Sequence, residues 1–404
     1  MKLLAYTSPA RGHLFPIVPI LRELISRGHR ADVRTLSDEV GELAGLGVGA
    51  QAIDPAIEAI ELEDWRKRSL LGATSSVMST FRARARLEAP DLARAIDSHD
   101  PDVLLIDVSC WGAAAVAEAS GRPWAIYSPY LLPLASRDAP PFGLGLRPRA
   151  GKLGAIRDAL VRPFASAAFD RMAMPSINRL RERHGLPALA RYDDVLARPP
   201  ALLALTAEGF EYARSDWPAN VRLVGPVNWA PPEAAPDWLS SLPDPLVLVT
   251  CSTERQRDER LIAVALQALP SAGMSVLATS AAHDPSAFRA PARSRVVRFL
   301  AHDAALERAA CVVCHGGMGI TQKALTAGVP LVVVPIGRDQ LETARRVEVA
   351  GAGVRLSPRR LTPARLLTAV GKALDCRAGA ADVSRAYAAA GGRIAAADAL
   401  EAIA

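Results

Sequence analysis

Two blocks of alternating apolar runs and helical patterns, separated by a proline-rich stretch, constrain this chain more than any other feature. In the first block, residues 2–6 read as a short buried strand, 16–27 as a helix closed by Gly28, and 31–36 as the next strand. Pro16 and Pro19 suit a first helical turn, where their missing N–H groups are not needed. Residues 101–107 read as a central strand, 112–120 as the helix after it, and 122–127, 201–206 and 222–226 as further strands. The second block repeats the alternation, with strands at 245–250, 274–279, 295–299, 311–314 and 329–335, and helices near 257–269, 319–327 and from 340 onward. Between the blocks, Ala230-Pro231-Pro232-Glu233-Ala234-Ala235-Pro236 favours an extended, semi-rigid connector. The fold class is therefore α/β, as two doubly wound units facing each other across a cleft. The expected domains are 1–229 and 244–404, joined by a linker at 230–243, with the last helix free to pack back on the first domain. Residues 55–90 and 128–170 are irregular, and helices expected between 134 and 200 have poorly marked boundaries.

Composition removes several function classes. Half of the 404 residues are hydrophobic and 22% are charged, which suits a globular chain with a large core. The net charge of +6 comes from arginines scattered over helices and loops, not from one basic block, so nucleic acid is not an expected partner. Thr7 to His13 interrupts the first apolar run before it reaches signal-peptide length. No apolar stretch approaches the roughly 20 residues that span a bilayer. A cytoplasmic enzyme with no integral membrane segment is expected. Five cysteines make no disulfide framework. Cys311-Val312-Val313-Cys314-His315 spells the C-x-x-C-H of haem attachment, but it lies in an apolar strand run, and both cysteines read as small core residues.

The strongest local signal is Cys314-His315-Gly316-Gly317-Met318-Gly319-Ile320-Thr321, where glycines leave a strand and enter a helix. Such a turn lets backbone N–H groups approach an anion, and the helix N-terminus adds partial positive charge. The run has neither P-loop nor dinucleotide-fold spacing. A tight strand-to-helix connection would look the same. Its continuation, Val329-Pro330-Leu331-Val332-Val333-Val334-Pro335-Ile336-Gly337-Arg338-Asp339-Gln340, sets a polar pair just beyond the carboxyl end of the next strand.

On these residues, densest over 296–353 and at the N-terminus, the chain resembles the UDP-glycosyltransferase superfamily of GT-B fold, and within it the bacterial antibiotic and macrolide glycosyltransferases. The resemblance implies that His315, Gly317, Gly319 and Thr321 hold a donor diphosphate and that Asp339 and Gln340 bond the sugar hydroxyls. Phe299 stands where the family usually stacks a Trp on the nucleobase, although core packing would also explain it. Thr253 matches a Ser or Thr near the phosphates, with Ser252 equally placed. One departure stands out. Eight residues after His315 the family commonly has a Glu that accepts from ribose hydroxyls, and this chain has Lys323, a donor. That exchange favours a dTDP-sugar over a UDP-sugar, because deoxyribose has no 2′-hydroxyl.

The second site is the loop Thr7-Ser8-Pro9-Ala10-Arg11-Gly12-His13-Leu14-Phe15-Pro16. A lone histidine there could cap or pack. The resemblance makes His13 the general base that deprotonates the acceptor hydroxyl, and Asp107 the carboxylate that fixes its tautomer, although Asp107 could instead cap the following helix. The implied reaction is an in-line displacement with inversion, with no cofactor beyond the nucleotide-sugar co-substrate and no metal. Asp100-Pro101-Asp102 spells a D-x-D, but precedes its strand and reads as surface carboxylates. The acceptor is expected to be a small, largely apolar aglycone, with Trp65, Phe81, Trp111, Tyr130 and Phe142 as candidates for lining its pocket. A nucleotide-sugar epimerase or hydrolase and a non-catalytic auxiliary protein are the other readings. A homodimer stays open as an assembly.

Overall fold

The computed structural model describes residues 1–67, 69–149, 151–231 and 233–404, so Pro232 of the connector lies outside the described residues. Among these residues the chain builds two all-parallel sheets. The first has the strands β1 (Lys2–Tyr6), β2 (Arg30–Thr35), β3 (Gly49–Ala52), β4 (Val103–Asp107), β5 (Trp124–Ser128), β6 (Ala201–Ala204) and β7 (Val221–Leu223), in the order β3-β2-β1-β4-β5-β6-β7. The second has β8 (Leu246–Thr250), β9 (Ser275–Thr279), β10 (Ser294–Val297), β11 (Ala309–Cys314), β12 (Leu331–Val333) and β13 (Gly353–Arg355), in the order β10-β9-β8-β11-β12-β13.

The central strands are buried along their whole length, as the runs VLLID in β4 and LVLVT in β8 require when helices cover both faces. Cys311 and Cys314 are fully buried on β11, and burial pushes both thiols up to about 12. In each sheet the chain winds outward one way and then restarts at the centre. The order reverses between β1 and β4 in the first sheet and between β8 and β11 in the second. At such switch points the loops from adjacent strands part and leave a crevice at the carboxyl ends. Of the strands that frame the two crevices, β4 ends in Asp107, while the segments that follow β1, β8 and β11 carry His13, Ser252 and His315.

Two helices depart from the sequence expectation. Leu70–His99 is one helix of 30 residues across the stretch expected to be irregular, and Lys152–Arg183 is one of 32. Pro90, Pro163 and Pro175 lie inside them, where a sequence pattern predicts a break. Tertiary packing overrides that local cost. Helix Leu70–His99 packs on helices Trp111–Ala119 and Lys152–Arg183, and its buried apolar residues Met78, Ala85, Ala89, Leu92 and Ile96 recur at helical spacing along one face.

The last helix, Gly392–Glu401, returns to the first sheet and packs on helix Val18–Ser26. Ala396, Ala397 and Leu400 join the core around Leu21 and Leu24. Arg27 Nη1 donates to Asp398 Oδ1 at 2.6 Å and to Glu401 Oε2 at 2.7 Å. The two domains also meet directly. Arg346 is buried between Glu211 at 2.7 Å and Glu342 at 2.8 Å, with its guanidinium 4.2 Å from the Tyr212 ring centroid.

Candidate active site

β1 runs into a short helical turn, Arg11–Leu14, that lifts His13 over the end of β4. His13 Nδ1 lies 2.7 Å from Asp107 Oδ2. The carboxylate is fully buried, and it accepts from the Ser109 N–H at 2.8 Å, the Tyr127 hydroxyl at 3.0 Å and the Ser8 N–H at 3.3 Å. Burial would raise the Asp107 pKa, but the charge and hydrogen bond of His13 and these N–H groups outweigh it and hold the pKa below the usual value. An ionised carboxylate can only accept, so Nδ1 carries the proton and Nε2 is left with a lone pair. Burial opposes a charged His13 as well, but Asp107 outweighs it and the His13 pKa is raised. The Tyr130 ring meets the imidazole edge-on with centroids 5.7 Å apart, and its hydroxyl is 2.9 Å from Ser109 Oγ.

Across the cleft, β11 ends in His315 and the two glycines, and helix Met318–Thr326 begins at once. Gly316 has φ +97°, and a Cβ there would lie 2.8 Å from Val333 Cγ1. A Cβ on Gly317 would lie 2.5 Å from His315 Nε2, so that position must be bare for the ring to fold over the turn. His315 is buried, and its Nδ1 has no hydrogen-bond partner but lies 3.7 Å from Asp258 Oδ2. Burial lowers the His315 pKa, against the pull of Asp258, so the ring is neutral at neutral pH. Gly319 is exposed, with open space beside it.

The other expected donor residues divide in two. Thr253 is exposed on the loop after β8, and Phe299 is 52% exposed on the loop after β10, which excludes a core-packing role for its ring. Asp339 is drawn between charges: burial raises its pKa, while Arg338 and His13 pull it down. Asp339 of the second domain is therefore within electrostatic reach of the base of the first. The remaining three are already committed to the protein. Thr321 Oγ1 donates to the Gly317 carbonyl at 2.9 Å, and Ser252 Oγ accepts from Gln256 Nε2 at 2.9 Å. Gln340 Oε1 accepts from the N–H groups of Ile336 at 2.8 Å and Gly337 at 3.0 Å, and its amide donates to Gln256 Oε1 at 2.6 Å. These three hold the loops that carry Thr253, His315 and Asp339.

Several residues had no clear sequence signal. Asp258 joins the site from the start of the helix after β8, accepting from the Ser252 N–H at 2.6 Å and from His283 Nε2 at 2.8 Å. Cys251, Asp258 and His283 bring ligand-type atoms within 4.8 Å of one another, but the Cys251 thiol donates to the Asp258 carbonyl at 3.4 Å, and burial pushes its pKa well up. The trio is a hydrogen-bonded knot. Asp64 makes a bidentate pair with Arg338 across the cleft, both contacts at 2.9 Å. Asp64 lies in the stretch without periodicity, and only Tyr127, at the carboxyl end of β5, followed a pattern that could have located it. Of the residues expected to line an acceptor pocket, Trp111 is buried and packs edge-on to Phe81 at 5.5 Å, while Trp65, Tyr130 and Phe142 are half-buried.

Comparison with known proteins assigns the chain to a family. Residues 265–396 match the family model for the erythromycin biosynthesis protein CIII-like C-terminal domain. The chain is 33% identical over 397 residues to 4'-demethylrebeccamycin synthase of Lentzea aerocolonigenes, an alignment that covers 93% of this chain and 92% of that one. Among solved structures, spinosyn rhamnosyltransferase SpnG superposes with a TM-score of 0.75 as its complex with spinosyn aglycone and 0.73 as its complex with thymidine diphosphate. The identities are 19% and 20%, and both cover 99% of this chain and 100% of SpnG. The chain belongs to the antibiotic glycosyltransferases of the UDP-glycosyltransferase superfamily, and its two facing parallel-sheet domains are the GT-B fold.

Proposed function

We propose that this glycosyltransferase moves a sugar from a thymidine diphosphate donor to a hydroxyl of a largely apolar natural product, with inversion and without a metal. The observation that carries the reading is that Asp107 holds one ring nitrogen of His13 at 2.7 Å and leaves Nε2 free, with the charge of Asp339 in the second domain within electrostatic reach. The acceptor hydroxyl gives its proton to His13 Nε2 as its oxygen bonds to the anomeric carbon. The bond from that carbon to the diphosphate oxygen breaks on the opposite face. Negative charge on the departing diphosphate meets the N–H groups at the start of helix Met318–Thr326 and the neutral His315 above them. No further cation is needed in this scheme.

Lys323 supports the choice of nucleotide. Its amine is partly buried, and burial lowers its pKa against the pull of Asp303. Together with burial, its charge pushes the neighbouring His302 down to about 4. A cationic donor thus stands on the helix where the wider family has an acceptor for ribose. SpnG, with the same fold, binds thymidine diphosphate.

Parallel assays with thymidine and uridine diphosphate forms of one sugar test the reading, scored against an aglycone panel with the product's anomeric configuration read by NMR. Preference for the thymidine form and an inverted product are expected. A uridine preference removes the nucleotide assignment, and a retained configuration removes the single displacement.

A further inference from the structure

Helix Lys152–Arg183 begins outside the core. Leu153, Ile156, Leu160 and Phe164 are 80%, 56%, 65% and 78% exposed. Their spacing of three, four and four residues puts all four on one stripe of the helix surface. Scattered exposed apolar residues are ordinary, whereas an exposed stripe three turns long marks a surface that is covered in use. The second half of the same helix shows the contrast, with Ala173, Met174, Ile177 and Leu180 buried in the first domain.

Charge decides what covers the stripe. Between residues 144 and 171 the basic residues are Arg147, Arg149, Lys152, Arg157, Arg162 and Arg171, and the only acids are Asp158 and Asp170. Asp158 is paired with Arg157 at 2.7 Å, and Asp170 Oδ1 accepts from the Tyr192 N–H at 3.0 Å, so both acids are engaged and are outnumbered by six cations. Arg147, Arg149, Lys152 and Arg171 are exposed around the stripe. A second copy meeting this face across a two-fold axis would bring like charges together. An apolar stripe rimmed by cations fits the boundary of a bilayer whose headgroups are anionic.

We propose that the first half of helix Lys152–Arg183, with the arginines just before it, is a membrane-surface face that lies on bilayers containing anionic lipid. The helix lies in the interface and does not span: among the described residues, no helix is long and apolar enough to cross a membrane. Its approach is fixed to the second domain, because the N–H groups of Gly143 and Gly145 both donate to Glu342 Oε1, at 2.8 and 2.7 Å. Arg345 Nε donates to the Gly145 carbonyl at 2.9 Å. Glu342 is one turn beyond Asp339, so the bilayer contact sits at the rim of the cleft.

The test is co-sedimentation of the full chain with vesicles of equal parts phosphatidylglycerol and phosphatidylcholine, beside vesicles of phosphatidylcholine alone. Binding to the anionic vesicles should exceed the neutral control by about tenfold or more and fall with added salt. The double substitution Leu160→Gln with Phe164→Gln should lower it about tenfold or more. The triple substitution Arg147→Glu, Arg149→Glu and Lys152→Glu should abolish the preference for anionic lipid. All these side chains are exposed, and circular dichroism and thermal melting should match the parent. Failure of the parent to bind, or equal binding by the Leu160/Phe164 variant, overturns the proposal. So does a parent that ignores vesicles but is a dimer that the same variant makes monomeric.

Discussion

His13 Nδ1 and Asp107 Oδ2 are 2.7 Å apart, and the two residues leave neighbouring parallel strands at the point where strand order reverses. The carboxylate stabilises the imidazolium that forms during transfer and keeps the proton on Nδ1 before it. Asp107→Asn keeps the shape but presents an amide, so kcat should fall roughly 10²- to 10⁴-fold. Steady-state kinetics with saturating donor checks this, and a variant within twofold of the parent would remove Asp107 from the mechanism.

The pH profile carries the same pair. His13 acts as a base only when neutral, and Asp107 raises its pKa above the ordinary 6.5. The rate should therefore rise with pH along a limb whose midpoint lies above 6.5. In Asp107→Asn, burial acts unopposed by that charge, and the midpoint should move down. A limb that stays in place after the substitution contradicts the assignment.

Gly316 and Gly317 should fail differently. Gly316→Ala adds a Cβ at φ +97° and 2.8 Å from Val333, and should destabilise the fold by roughly 1–3 kcal/mol in denaturant titrations. Gly317→Ala displaces only the end of the His315 ring, so the melting temperature should hold while donor KM rises about tenfold, equivalent to about 1.4 kcal/mol. The reverse pattern would show that His315 is a packing residue.

Arg338 and Asp64 join the domains beside Asp339. Their side chains are 22% and 7% exposed, so screening is incomplete. A double-mutant cycle with Arg338→Met and Asp64→Asn should give a coupling of about 1–3 kcal/mol in donor binding. Additive effects would mean that the pair does not tie the cleft.

Glu88 lies under the site, where it accepts from the Gly112 N–H at 2.9 Å, and burial raises its pKa from 4.5 to about 8. Between those values the folded state keeps a proton that the unfolded chain releases, so stability falls as pH rises through that window. The slope should be at most about 1.4 kcal/mol per pH unit. Glu88→Gln should flatten it in unfolding titrations across this range, and identical slopes in both proteins would refute the buried acid.

The two crevices were legible because parallel strands buried on both faces must be nearly continuous apolar runs. The polar residues that end such runs, His13, Asp107, Ser252 and His315, stand out against them. What escaped was set by packing, not by local pattern. Helices Leu70–His99 and Lys152–Arg183 run on through Pro90, Pro163 and Pro175, all at exposed positions, while other faces of the same helices are held by packing. Asp64 comes from a stretch with no periodic signal, and Asp258 stands at the head of an expected helix, where a carboxylate reads as an ordinary cap. Thr321, Ser252 and Gln340 lie beside the carboxyl ends of the strands, yet their polar atoms are spent on loops, which only the direction of each side chain reveals.

The return of helix Gly392–Glu401 means that the second domain is attached at two points. The outgoing and incoming chains touch where the Gly392 N–H donates to the Val224 carbonyl at 2.6 Å. Two tethers side by side resist twisting of one domain against the other more than a single connector would. They also bind Arg27 to residues 371 and 374 positions further along the chain. The core around Leu21 and Leu24 is completed by Ala396, Ala397 and Leu400, so the first sheet waits for residues that are synthesised after the whole second sheet.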